Sequence, residues 1–450
     1  MPSLLNNKKS VIALTFIAVF TALLLLFSNL SLPNVLLSSL LLLLLALSFI
    51  DFRLAFLSIL FLRPILDLSV HNIIFSFGDL QINILSLLGI LMIILAIIFI
   101  FLGKFDWHNL KQLHSFYAWV IFLFLGIIST FNSFYFSESL KEILRFFSIF
   151  AAFFLGASLL PSAKNLTWLI KVIIFSALPP SLIALFQFIN KTGLPENGIY
   201  RVFGSMTHPN MLAFYLLLAI TLAVFLLLNL KRTKLEVYFY SLLSLFYIFI
   251  LFLTYTRGAY LALIIIFVIV GVSKFKKFLL VAFLAMLFVY ALVPPIQTRF
   301  NSIFQSDPYG SVSWRFNLWR DGLEYFQERP WTGYGIGTAE KIISVKRDFR
   351  LGPPDPHNDY LRVALDGGYP LLASYILLLL SFFGAIISSY WHESRPRLKN
   401  FFLFFLAFGV AVFTMSSGDN ILNDTALQWQ MWALAGSALA CARLKPDLSA

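Results

Sequence analysis

Apolar residues in this chain come in long unbroken runs, not in alternation. Fourteen such segments are readable, at about 11–30, 33–50, 54–66, 80–102, 115–133, 139–160, 165–189, 208–229, 236–255, 257–272, 277–294, 360–390, 400–418 and 424–442. Most approach the ~20 residues a helix needs to cross hydrocarbon, and the runs are too continuous for the ~10-residue alternating strands of a membrane barrel. The third is short, ends in Leu62-Arg63-Pro64, and reads as tilted, re-entrant or non-spanning. The pattern predicts an all-α, polytopic integral membrane protein with 12–14 transmembrane helices. The first run lacks a small-x-small cleavage pattern and reads as a retained helix, not a signal peptide.

Two polar interruptions are long, one at about 190–207 and one at about 295–357. The second divides the chain into a helical bundle (1–294), a large loop (295–357) and C-terminal membrane helices (358–450) of the same single domain. Within it, Ser311 to Glu328 reads as an amphipathic helix, with Trp314, Leu318, Trp319, Leu323 and Phe326 at three- and four-residue spacing. Such a helix lies on the membrane or caps a cavity. Pro330 ends it, and Gly333, Gly335 and Gly337 read as a flexible stretch behind it. No internal repeat is evident.

Composition agrees: 60% of residues are apolar and 12% charged, against about 25% charged in soluble domains. The single cysteine, Cys441, excludes an intrachain disulfide and argues against a cysteine metal site. A net charge of +12 raises the question of nucleic acid, and the distribution answers it. With the N terminus placed inside, 17 of the 33 Lys and Arg fall in short inner loops, from Lys8 and Lys9 through Arg53, Lys104, Lys111, Lys164, Lys231, Arg232, Lys234, Lys274, Lys276, Lys277, Arg395, Arg397 and Lys399 to Arg443 and Lys445. Positive-inside bias thus accounts for half the charge and puts both termini inside. The large loop falls outside and is nearly neutral, with eight Lys/Arg against seven Asp/Glu.

Charges within or at the outer rim of a membrane are costly and therefore informative. Here they are Arg63, Lys141, Arg145, Arg201, Arg257 and Arg362, with His357. Arg257 sits at a hairpin too tight for a loop; it reads either as a snorkelling helix end or as a phosphate ligand, whose planar fork matches phosphate oxygens. Arg201 precedes Thr207-His208-Pro209, a helix start suited to anions. For His208 a capping or packing role is favoured. His357 follows Pro353, Pro354 and Pro356 and precedes an apolar helix, whose N-terminal dipole disfavours imidazolium and leaves a neutral imidazole able to accept a proton. A structural histidine and a metal site of Asp355, His357 and Asp359 are the alternatives.

Several motifs resemble the bacterial O-antigen ligases and the wider O-antigen ligase/polymerase superfamily. Arg257-x-x-x-Leu261 is similar to their R-x3-L motif. His357-Asn358 followed by nine residues and Gly368 is similar to H-[NSQ]-x9-G. Gly204-x-x-x-His208-Pro209-Asn210 and the Arg315, Trp319, Pro330, Gly333-x-Gly335 pattern also resemble the superfamily, and together the motifs cover about residues 200–370.

The resemblance implies a GT-C-like, metal-independent and inverting glycosyltransferase without cofactors. It would transfer O-antigen glycan from undecaprenyl diphosphate to lipid A–core oligosaccharide, in the inner membrane of a Gram-negative bacterium and on its periplasmic face. His357 would be the general base, and Arg257 and Arg201 would hold the diphosphate. Arg362 and Arg315 are further candidate ligands, and Asn358 and Gly368 would shape the site. The family often has Glu where Asp366 stands, which raises the question of whether this acid orients the histidine or an arginine. The rivals are an O-antigen or capsule polymerase, a protein O-oligosaccharyltransferase, and a lipid-glycan transporter; for the transporter the expected midplane charges and repeated halves are missing.

Overall fold

The computed structural model describes residues 32–77, 80–103, 105–111, 113–196, 198–229, 233–292, 311–347 and 354–444, with 294, 297 and 301. The expected span 11–30, the basic residues Lys8, Lys9, Lys104, Lys231, Arg232 and Lys445, most of 295–310, and Pro353 lie outside the described residues.

In chain order the helices are α1 (Leu32–Ile50), α2 (Phe52–Leu66), α3 (Ile84–Phe101), α4 (Trp107–Lys111), α5 (His114–Phe131), α6 (Phe136–Leu159), α7 (Ala163–Ser176), α8 (Leu178–Asn190), α9 (Pro209–Asn229), α10 (Lys234–Leu253), α11 (Arg257–Ser273), α12 (Lys276–Leu292), α13 (Ser311–Glu328), α14 (Ala339–Lys346), α15 (Asp359–His392), α16 (Pro396–Met415) and α17 (Thr425–Arg443). Two small antiparallel hairpins, β1 (Ile73–Phe77) with β2 (Leu80–Asn83) and β3 (Leu194–Glu196) with β4 (Ile199–Arg201), are the sheet found among the described residues.

The protein is all-α and polytopic. Among the described residues, eight elements have the length and apolar character to cross a membrane: α3, α5, α6, α7 with α8, α9, α10, α15 and α16; α1 and α11 are shorter apolar helices. The expected single span 165–189 is two helices meeting at Ala177, where Pro179 and Pro180 begin the second and cannot donate amides to the first. Helix α9 is buried along nearly its whole length and forms the centre. Beside it α6 and α17 touch backbone to backbone. A Cβ on Gly156 would come within 2.4 Å of the Ala433 carbonyl, and one on Gly436 within 2.1 Å of the Phe153 carbonyl. Small residues at such crossings let membrane helices pack where hydrophobicity cannot drive them together.

Helix α13 forms over the range its amphipathic spacing predicts. Its buried face carries Leu318 and Phe326, with Trp314 and Trp319 partly covered, and it packs with Ile342 and Ile343 of α14 on Leu361, Ala364 and Leu365 of α15. Leu323 does not join this face and is 52% exposed. The glycines behind α13 are not a flexible stretch either. Gly333 has φ +61°, and a Cβ there would stand 2.5 Å from the Asp366 carbonyl; Gly335, at φ +113°, is as close to Ser133. They are glycines because each has positive φ and a Cβ would collide, at Gly333 with the α15 backbone and at Gly335 with Ser133.

Helix α15 is broken at Gly367 and Gly368, the latter at φ +67°, before Pro370. The break turns the Leu365 and Asp366 carbonyls toward the amides of Tyr334 and Gly335, at 3.0 and 2.9 Å, and the Tyr369 amide toward the Pro330 carbonyl, at 2.7 Å. The α13–α14 segment is thereby fixed to the helix that His357 precedes.

Candidate functional site

His357 is set by its neighbours before any ligand is considered. Asn358 is the N-cap of α15 and accepts the amides of Tyr360 and Leu361 at 3.1 and 3.0 Å. Asp355 accepts the His357 amide at 3.0 Å, and Trp319 of α13 donates to the Pro356 carbonyl at 2.7 Å. These bonds hold His357 at φ +46°, a left-handed conformation uncommon for a non-glycine residue. Asp359 turns away into the protein, where its carboxylate accepts the Leu422 amide at 3.0 Å. Asp355, His357 and Asp359 therefore do not converge, and among the described residues no three His, Cys, Asp or Glu form a metal-binding group.

The histidine's partner comes from the turn between α16 and α17. Asp419 Oδ1 stands 3.6 Å from His357 Nδ1, which has no other partner among the described residues. That distance is long for a hydrogen bond and within ion-pair reach; such contacts are often loose before substrate binds. Burial pushes the Asp419 carboxyl up, but His357 and then Arg315 of α13 outweigh it and hold it below its ordinary range. With Nδ1 directed at a carboxylate, Nε2 is the nitrogen left with a lone pair.

Behind Asp419 runs a chain of hydrogen bonds. Asn210, in the first turn of α9, donates to Asp419 Oδ2 at 2.6 Å. Its own side-chain oxygen accepts from Arg201 at 2.9 Å and from Thr256 at 3.3 Å. Arg201 also bonds the Thr254 carbonyl at 2.8 Å and Glu196 at 2.7 Å, and is 7% exposed. A guanidinium so engaged ties the β3–β4 hairpin to the α10–α11 turn and to Asn210.

A cavity of ≈ 590 Å³ opens beneath His357 at this end of the bundle. Its walls include Asp355, His357, Asp419 and Asn423, then Thr207, His208 and Asn210, then Lys141, Glu142 and Arg145, and also Arg63 and Asp67. Arg201 and Arg257 do not line it. Of the expected rim cations, those on its wall are Arg63, Lys141 and Arg145. Arg63 is paired with Asp67 at 2.6 Å and bonded to Thr425. Glu142 lies between two guanidinium groups, Arg145 and Arg362, and both also bond the Asn423 side chain. Arg362 is thus part of a buried network, and Lys141 is the more exposed cation on the wall.

The remaining candidates have local roles. Arg257 opens α11, half-buried behind the Thr256 cap. Asp366 does not reach His357; its carboxylate takes the amides of Gly337, Thr338 and Ala339 at 2.8 to 3.0 Å and so caps α14. Gly368 is close-packed, since a Cβ would meet the Pro330 carbonyl at 2.6 Å. His208 caps α9, with Nδ1 accepting the Asn210 amide at 3.1 Å. Burial, then the nearby Arg201, push its imidazole down to about 4.

Sequence reasoning missed Asp419, and it met Asn210 only as the last residue of the 204–210 motif, without a role. The available signal was a polar turn, Gly418-Asp419-Asn420, between two apolar runs at the end of the bundle that carries His357.

Fold and site together define a multi-pass helical membrane protein with a charged cavity at one end, served by a histidine–aspartate pair. Residues 239–376 match the family model described as O-Antigen ligase, which bears out the superfamily resemblance. The matched segment carries Arg257, Arg315, His357, Asn358, Arg362, Asp366 and Gly368; Arg201, His208 and Asp419 lie outside it. The match indicates likeness to ligase- and polymerase-type, glycosyltransferase-like enzymes. No curated protein matches the chain.

Proposed function

We propose that the chain transfers O-antigen glycan from undecaprenyl diphosphate to a hydroxyl of lipid A–core oligosaccharide, on the periplasmic face of the inner membrane. The observation carrying this reading is the His357–Asp419 pair over a cavity walled by Lys141, Arg145 and Arg63. A sugar hydroxyl is a poor nucleophile until a base accepts its proton, and the free His357 Nε2 is that base. As the acceptor oxygen bonds to the anomeric carbon, the bond from that carbon to the diphosphate oxygen breaks and its electron pair leaves with the diphosphate. One displacement inverts the centre. Asp419 orients the imidazole and stabilises the imidazolium, as the carboxylate does in hydrolytic triads.

Negative charge grows on the leaving diphosphate, so preorganised cations nearby lower the barrier. Lys141 and Arg145 hold this role in our reading, with Arg257 retained from the family motif. Arg201 acts through Asn210 and Asp419 as a positioning residue.

The test is transfer by purified protein in lipid nanodiscs, with lipid-linked glycan, lipid A–core and EDTA. Wild type gives product; His357→Ala binds donor and gives none. Full activity of His357→Ala would sink the mechanism, and activity lost to EDTA would favour a metal. Product on a second lipid-linked repeat instead of lipid A–core would identify a polymerase.

A further inference from the structure

His208 and His357 share one cavity, and their hydrogen bonds give them opposite characters. His357 Nδ1 faces a carboxylate, so its proton belongs there and Nε2 accepts. His208 Nδ1 already accepts the Asn210 amide at 3.1 Å, so that nitrogen carries no proton. The neutral ring must then carry its proton on Nε2. Nε2 of His208 makes no hydrogen bond among the described residues, and the side chain lines the cavity wall.

The charges facing His208 are Arg201, Asp419, His357 and Glu196. Burial and Arg201 outweigh the two carboxylates, so the ring is neutral near pH 7. It adds no second cation beside the buried Arg201, and it presents an N–H where a sugar or phosphate oxygen arrives.

We propose that His208, with Nδ1 fixed as acceptor of the Asn210 amide, is a neutral hydrogen-bond donor through Nε2 to a phosphate oxygen of the lipid diphosphate. This rests on the glycosyl-transfer reading above. The two histidines then divide the work: His357 removes the acceptor's proton, and His208 stabilises the departing diphosphate without titrating. A fixed neutral imidazole suits this role because donating to an anion needs no proton transfer at the moment of reaction.

The experiment uses full-length protein with ¹⁵N-labelled histidine in nanodiscs. The imidazole signal missing from His208→Asn identifies the residue. It should stay neutral with the proton on Nε2 from about pH 5.5 to about pH 8, given its depressed pKa, and that proton should shift when undecaprenyl diphosphate is added. A ring that titrates in this range, carries its proton on Nδ1, or ignores the diphosphate overturns the proposal. In kinetics, His208→Ala should lower kcat/KM for the lipid-linked donor by roughly 10- to 100-fold, the range for a hydrogen bond to a charged group. Acceptor KM and the limbs of the pH profile should not move, and His208→Gln, which retains an N–H donor, should recover part of the loss. Wild-type donor kinetics in folded His208→Ala would leave only the cap. If wild type transfers nothing, the transfer reading fails, while the response to undecaprenyl diphosphate still decides the donor assignment.

Discussion

Replacing Asp419 with asparagine removes one charge and almost no volume. The Asn210 contact can persist, because an amide oxygen still accepts its N–H. What is lost is the carboxylate 3.6 Å from His357 Nδ1. The two side chains are 27% and 14% exposed, so the effective dielectric lies between that of a protein surface and that of water. At this distance the attraction for an imidazolium is about 1 to 5 kcal/mol. Charge forms on the imidazole only as it takes the acceptor's proton, so the loss falls on kcat. Roughly a 5- to 5000-fold decrease follows. The assay is transfer kinetics with both substrates saturating, beside a thermal melt. Donor KM should change little, because the imidazole is neutral until it takes the proton. A folded Asp419→Asn with wild-type kcat would refute the pairing. A fall confined to the melting temperature would make Asp419 a structural residue.

Gly368→Ala combines left-handed backbone strain of about 1–3 kcal/mol with a Cβ overlapping the Pro330 carbonyl; limited proteolysis should show faster cutting within 311–347. Glu142→Gln leaves Arg145 and Arg362 without their shared carboxylate at a cost of about 3 kcal/mol, read as a lower melting temperature. His208 gives a pH signature. Its imidazole is held down to about 4 in the fold against an ordinary 6.5, so between those values the unfolded chain binds more protons and stability rises with pH. His208→Asn should therefore flatten the loss of melting temperature between pH 6.5 and 4 relative to wild type.

The sequence by itself determined the membrane class, because uninterrupted apolar runs of spanning length leave the backbone no stable alternative to helices in hydrocarbon. It also determined α13, whose apolar spacing and Pro330 are local signals, and the caps: Asn358 and His208 act on amides two or three residues away. His357 stood out for the same reason, as a lone titratable group at the start of an apolar helix. The partners of these residues could be decided only by the tertiary structure. Asp419 lies 62 positions from His357 and Asn210 lies 209 from Asp419. Contacts of that span depend on how whole helices cross, which no local period encodes. The same holds for the cations. By sequence Arg201 and Arg257 looked like the diphosphate ligands. In three dimensions Arg201 is engaged with Glu196, Asn210 and backbone, and the cavity wall falls instead to Lys141, Arg145 and Arg63. Glycines 333 and 335 show the same limit. Their type marked special backbone, but whether that meant freedom or close contact depended on the helix broken 32 to 35 residues further on, against which they pack.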